Sequence, residues 1–538
     1  MTRSVMGTDR RTPRVRPLLT GLACVLTTAL ALTTLTFSSP AGAGTSRSGL
    51  KGAIDTLLAD ARLDGGAASV VIADADTGER LYQRAGGDRL MPASNTKIAT
   101  SVAAFGVLGP QYRFSTDVLA HGTRDGSTLK GDLYLRGGGD PTTLAKDYDK
   151  LAAAVAAAGI TKVTGRLIAD DTRFDTQRLG RSWAADDQSS YYSAQTSALT
   201  VAPDTDYDSG TVIVKVVPGA KAGDKPKVTV EPKTAYVKLD ISGTTVAAGG
   251  SDTRSVQRRH GNNTITVSGN APLGAGATQE WVTVWEPTGY AAAVFHDALA
   301  RHGVKVTEST RLGRATPNAA QPISSHRSMP LRELMHPFMK LSNNMHAEAL
   351  TKTMGYETAG RGTWSAGLAA IATRLRAEGV TTGALRQVDG SGLSRMNLFP
   401  AEQFAALLLS VRDASWYADW YASLPLACGP DRAAGGTLRT RMCNTPAALN
   451  ARAKTGSLTG ASALSGYVTD AKGRELVFSI VLNNYLASSV KSIEDAIVVT
   501  LARTDTTTES VPSVTPALTR TTEPATDQEC SWRKPKFC

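Results

Sequence analysis

The chain has 538 residues, of which 41% are hydrophobic and 20% charged, with 50 Gly, 24 Pro and five Cys. That composition is globular and excludes wholesale disorder, collagen and coiled coil; five cysteines in so long a chain also exclude a disulfide-framework scaffold. The formal net charge of +11 raises nucleic acid as a partner, so the position of the charge has to be read along the chain.

Arg3, Arg10, Arg11, Arg14 and Arg16 precede an uncharged run from Leu18 to Phe37, which is followed by Ser38-Ser39-Pro40-Ala41-Gly42-Ala43. A basic start, an apolar stretch and a small-residue site predict a secretory signal peptide over 1–43, cut after Ala43 and leaving no stable membrane span. Cleavage would remove five Arg and one Asp, lowering the net charge from +11 to +7, and would also remove Cys24. Four cysteines then remain. They allow three connectivities; pairing by proximity joins Cys428 with Cys443 and Cys530 with Cys538, in an oxidising compartment. The expected location is secreted and cell-wall associated.

Residues 50–63 carry apolar residues at helical spacing. Stretches 68–73 and 80–83 flank Asp76-Thr77-Gly78 and predict a hairpin, and 94–108 reads as a helix of small and apolar residues. From about 115 to 315 the pattern turns to short alternating runs (212–217, 227–230, 237–241, 264–267), a β-rich middle. Helical patterning resumes over 331–354, 363–378 and 400–411; a second hairpin is expected over 463–469 and 476–483, and a last helix over 490–502. Helix and hairpin at the start, hairpin and helix at the end, predict a sheet built from both ends and covered by both terminal helices. Residues 504–538 read as a Thr/Pro-rich tail with a terminal Cys loop.

Three short motifs carry the chemistry: Ser94-Asn95-Thr96-Lys97, Ser342-Asn343-Asn344 and Lys454-Thr455-Gly456. In this order they match the S-x-x-K, S-x-N and K-T-G signature of penicillin-recognising serine enzymes. At a helix start, i and i+3 share a face, so Lys97 can reach the Ser94 hydroxyl. A serine needs a neighbour to take its proton, and a lysine serves only if burial or nearby cations disfavour its charge. The expected catalytic residues are Ser94, Lys97, Ser342, Asn344 and Lys454. Ser342 would relay a proton to the leaving amine and Asn344 would orient Lys97. Thr455, Gly456 and Ser457 would lie on an edge strand that holds the substrate carboxylate and carries the peptide as an added strand. The N–H groups of Ser94 and Ser457 would form the oxyanion hole. No metal or organic cofactor is needed, and the seven His contain no H-x-x-x-H pair.

Around these motifs, segments 135–142, 169–175, 192–195, 338–344 and 389–394 resemble a low-molecular-mass class C penicillin-binding protein, a D-alanyl-D-alanine carboxypeptidase/endopeptidase, over roughly 50–503. The resemblance implies an α/β, multi-domain fold: a β-lactamase/transpeptidase-like sandwich with an antiparallel sheet, interrupted by a large β-rich insertion. The catalytic part would comprise 50–114 and 333–503, one inserted domain 115–137 and 208–332, and a second 138–207. It implies action on peptidoglycan stem peptides, with β-lactams as inhibitors. Asp187 and Arg395 match positions that line a pocket for a diamino acid in similar proteins, and Trp183, Tyr192 and Leu458 would wall that pocket. A β-lactamase and a non-catalytic wall sensor are the rivals; no E-x-x-x-N deacylating segment follows S-x-N, and the chemical residues are all present. Asn343, His346, Asp140 and the Asp170-Asp171 pair read as structural. The basic surface suits an anionic wall, so nucleic acid need not be invoked.

Overall fold

The computed structural model describes residues 46–505; the expected signal peptide and the Cys530–Cys538 loop lie outside them. Both chain ends contribute to one five-stranded antiparallel sheet. Its order is Arg452–Leu458, Ala461–Thr469, Glu475–Asn483, Ala67–Asp74, Arg80–Arg84. Ala67–Asp74 pairs with Glu475–Asn483 over its whole length, from Ala67 opposite Asn483 to Asp74 opposite Leu476.

The alternation of apolar residues explains the layers, because successive side chains of a strand point to opposite faces. Leu476, Phe478, Ile480 and Leu482 pack with Ile54, Ile493 and Ile497 of the two terminal helices, Ser46–Leu57 and Lys491–Arg503. Val477 and Val481, one step out of phase, pack on the other face with Ile98, Leu334 and Phe404. Each such side chain, fully buried, contributes about 1.5–3 kcal/mol. Helix Thr96–Leu108 lies in this second layer with residues 96–105 all buried.

One expected helix is two. The stretch read over 331–354 breaks into Leu331–Lys340 and Asn344–Ala359. Ser342 between them has φ +55°, and the Asn343 side chain caps the second helix by accepting from His346 N at 3.1 Å. Ser and Asn compete with helical hydrogen bonding in this way. The break delivers Ser342 to the site.

The chain leaves this unit at Ser115 and returns after Arg327. Hairpin Ser115–Asp125/Thr128–Gly137 forms the centre of a seven-stranded mixed sheet. Lys162–Val163 and Leu167–Asp170 run parallel to Thr128–Gly137, and Gln321–Arg327 pairs with Ser115–Asp125. Parallel neighbours require a crossover, here helix Ala145–Ala157, which packs with helix Pro287–Arg301 through Tyr148 and Phe295. Neither helix was expected in a β-rich middle. Smaller sheets built from strands between Thr211 and Thr283 sit within this region. The borders read from sequence at 137/138 and 207/208 therefore do not follow the sheets: strands on both sides of 137 share one sheet, and the two helices come from opposite sides of 207.

The paired carboxylates of the insertion act as fasteners. Asp140 accepts from Thr142 N and Oγ1. Asp170 accepts from Thr172 and Thr316, and Asp171 from Thr288 Oγ1 while pairing with Arg178. Cys428 and Cys443 form a disulfide, with Cα atoms 4.9 Å apart. Among the described residues no helix is long and apolar enough to cross a membrane.

Candidate active site

The sequence Ala93-Ser94-Asn95 forms a 3₁₀ turn that runs directly into helix Thr96–Leu108. Ala93 is held at φ +46°, a strained conformation of the kind that clusters at functional sites. Two glycines let other elements close on this turn. A Cβ on Gly392 would stand 1.9 Å from Ala93 O, and one on Gly456 would stand 2.6 Å from Pro92 O.

Ser94 is 7% exposed and Lys97 fully buried. Lys97 Nζ lies 2.7 Å from Ser94 Oγ, 2.6 Å from Asn344 Oδ1 and 2.9 Å from Ser391 O. Across the site, Lys454 Nζ donates to Ser342 Oγ at 2.7 Å and to Thr455 O at 2.8 Å. The hydroxyls of Thr455 and Thr437 bond at 2.9 Å. Lys454, Thr455, Gly456, Ser457 and Leu458 all lie on the edge strand Arg452–Leu458. Its outer side is bridged near Arg452 and Ala453 by Pro425 and Leu426; beyond that, no strand of the described residues covers it. Asn344 turns its other end outward, Nδ2 donating to Tyr192 O at 2.8 Å.

Two buried acids that sequence reasoning missed hold the loop that supplies Ser391 O. Glu348, one helical turn past Asn344, accepts from Gly390 N (2.9 Å), Ser391 N (2.8 Å) and Trp364 Nε1 (2.7 Å). Asp389 accepts from Gly392 N (2.9 Å), Ser394 N (2.7 Å), Asn397 Nδ2 (2.8 Å) and Trp183 Nε1 (3.0 Å). Burial, and then the charge of Asp389, raise the Glu348 carboxyl to about 7; burial raises Asp389 as well. For Glu348, an acid set among small and apolar residues (Ala347-Glu348-Ala349-Leu350) was the available signal.

Ser94 and Ser342 open into a cleft of about 840 Å³ whose walls include Asp187, Tyr192, Arg395 and Leu458. Tyr192 OH donates to Asp187 Oδ1 at 2.8 Å, and Arg395 Nη1 to Thr459 O at 2.9 Å. The cleft thus presents an acid and a guanidinium along with Ser94. Trp183 does not line it: its indole N–H is on Asp389 and its ring lies against Trp364. Leu486, 99% exposed, lies on the rim and was not foreseen. Asn343 bonds Tyr207 O and Asp208 Oδ1 besides its cap. His346 is buried against Tyr207 and Phe338, and burial lowers its pKa to about 3; a neutral ring there serves packing.

A serine with a lysine one turn along its helix, faced by a second Ser–Lys pair at a sheet edge, defines an S-x-x-K serine hydrolase. Residues 50–504 match the D-Ala-D-Ala carboxypeptidase 3 (S13) family. The D-alanyl-D-alanine carboxypeptidase of Actinomadura sp. (strain R39) is 42% identical over 515 residues, covering 95% of each chain. Penicillin binding protein 4 (dacB) of Haemophilus influenzae superposes with a TM-score of 0.73 at 24% identity, over 84% of this chain and 99% of that one. A crystal structure of that protein complexed with a β-lactam superposes at 0.67 and 23% identity, over 82% and 97%. The chain belongs to the D-Ala-D-Ala carboxypeptidase S13 family, and it is an enzyme of that activity.

Proposed function

We propose that the enzyme hydrolyses the terminal D-Ala-D-Ala bond of peptidoglycan stem peptides through an acyl-enzyme on Ser94. The observation that carries this is the environment of Lys97. A neutral amine has two N–H groups and one lone pair. Asn344 Oδ1 and Ser391 O accept from Lys97 Nζ, and Ser94 Oγ lies 2.7 Å from the same nitrogen, so the neutral form of the amine is placed to take the Ser94 proton. Ser94 then donates its proton to Lys97 as Oγ attacks the carbonyl between the two D-alanines. The N–H groups of Ser94 and Ser457 receive the oxyanion. Ser342, held by Lys454, relays to the departing D-alanine amine the proton that Lys97 took, which leaves Lys97 neutral and Ser342 a hydroxyl again. Lys454, Thr455 and Ser457 hold the terminal carboxylate, the substrate backbone adds to the open edge of Arg452–Leu458, and water releases the acyl group.

Asp187 and Arg395 suit the ammonium and carboxylate of a diamino acid in the stem peptide. Cutting a cross-link uses the same steps with a larger leaving amine, so endopeptidase activity belongs to the same reading. β-Lactams would acylate Ser94 and leave slowly; the β-lactam complex of the Haemophilus relative supports this. Export follows from the signal-like leader, and the Cys428–Cys443 disulfide suits an oxidising compartment. Replacing Ser94 by Ala should abolish D-alanine release from a stem-peptide mimic; persistence of release would refute the mechanism.

A further inference from the structure

A second cleft, of about 770 Å³, shares Asp186, Asp187, Tyr191 and Tyr192 with the cleft of Ser94. Its opposite wall belongs to the small sheets of the insertion, with Arg254, Gln257, Arg258 and His260 on it. Arg258 is 7% exposed. Its Nε donates to Thr283 Oγ1 (3.2 Å), Nη1 to Arg259 O (2.8 Å) and Asn262 O (3.0 Å), and Nη2 to Gln188 O (2.8 Å). Every one of these acceptors is neutral. Asp186, Asp187, Asp208 and Glu280 also line the cleft, yet none forms an ion pair with Arg258 among the described residues. Neighbouring Arg254, by contrast, is matched by Asp252 at 2.5 Å.

A buried charge ordinarily has a counter-ion, because low-dielectric surroundings penalise it otherwise. Hydrogen bonds to four neutral oxygens position the guanidinium without neutralising it. One N–H of Nη2 remains, at the wall of a polar cleft that is continuous with the reaction site. We propose that this second cleft seats the upstream part of the stem peptide, and that Arg258 takes a free carboxylate carried there.

The inference rests on the reaction assigned above to Ser94. A peptide with its scissile carbonyl at Ser94 and a side chain at Asp187 continues, past the shared residues, into this cleft. The carboxylate supplies the missing counter-ion. The acids on the facing wall disfavour a purely anionic polymer, so the ligand is a peptide of mixed charge.

The test compares two stem peptides that differ only upstream of the diamino acid, one with a free carboxylate and one with that group amidated. D-Alanine release gives KM for each. Arg258 itself ties the loop at Gln188 to the insertion, so the variants are made at exposed Gln257 beside it. Gln257→Glu should raise the KM ratio of acid to amidated peptide by about three- to fivefold, and Gln257→Lys should lower it, as expected for an exposed charge pair. An identical ratio in the wild type and both variants would overturn the cleft assignment and leave the reaction standing. No release from either peptide by the wild type would overturn the reaction, and this inference with it.

Discussion

The two Ser–Lys pairs have the same 2.7 Å separation and opposite origins. Ser94 and Lys97 are three residues apart, and one helical turn brings them together. Ser342 and Lys454 are 112 residues apart. They meet only because a helix breaks at a left-handed serine and a sheet edge is propped beside it. The first pair is local and needs tertiary structure only to bury it and aim its lysine. The second is wholly a product of tertiary structure.

Replacing Lys97 by Met keeps the stem and removes the amine, so it tests the first pair with little change of packing. D-Alanine release should fall by about 10⁴, the upper range for a positioned acid–base group. Ser342→Ala should cost less, about 10², because the substrate amine can still draw a proton through water. Rates from single-turnover release check the order; an equal or larger loss at Ser342 would break the distinction between the pairs.

Stability should separate them as well. The disulfide closes the loop from Cys428 to Cys443, which props the K-T-G strand: Ala427 N donates to Ala451 O, and Thr437 meets Thr455. Replacing both cysteines by Ser should cost about 3 kcal/mol for a loop of 15 residues, read from denaturant unfolding. The residual activity at low temperature should show a raised KM if Thr455 holds the substrate carboxylate as proposed, while Lys97 stays in place.

The pH dependence follows from Glu348. Its folded pKa, raised to about 7, lies above the ordinary 4.5. The folded protein therefore keeps a proton that the unfolded chain releases, so this contribution is complete below about pH 4.5 and is lost as pH rises through about 7. Glu348→Gln cannot ionise and should flatten that slope in a melting-temperature series. The same slope in both proteins would place the titration elsewhere.

Much of this was legible in the sequence because it is periodic or local. The alternation over 476–482 places one strand between two layers, and i, i+3 spacing places Lys97 on Ser94. Helix Ala145–Ala157 had the signal too, with Tyr148, Leu151, Ala152 and Val155 on one face, but strand alternation dominated the reading of the middle region. The break at Ser342 was not legible: Ser and Asn are tolerated in helices, and the bonds that stabilise the break, from Lys454 and to Tyr207 and Asp208, come from distant segments. Glu348 and Asp389 follow no period either, since a buried acid is fixed by its N–H partners. Trp183, expected in the pocket wall, instead turns its indole N–H onto the buried carboxylate of Asp389.

The central claim is that Ser94, aimed by Lys97, is the acylated residue. Incubation with a penicillin followed by peptide mapping by mass spectrometry tests it most directly. The expected result is one β-lactam adduct on the peptide containing Ser94, absent from Ser94→Ala and formed about 10³ times more slowly in Lys97→Met. An adduct mapped to Ser342, or formed at full rate in Ser94→Ala, would contradict it.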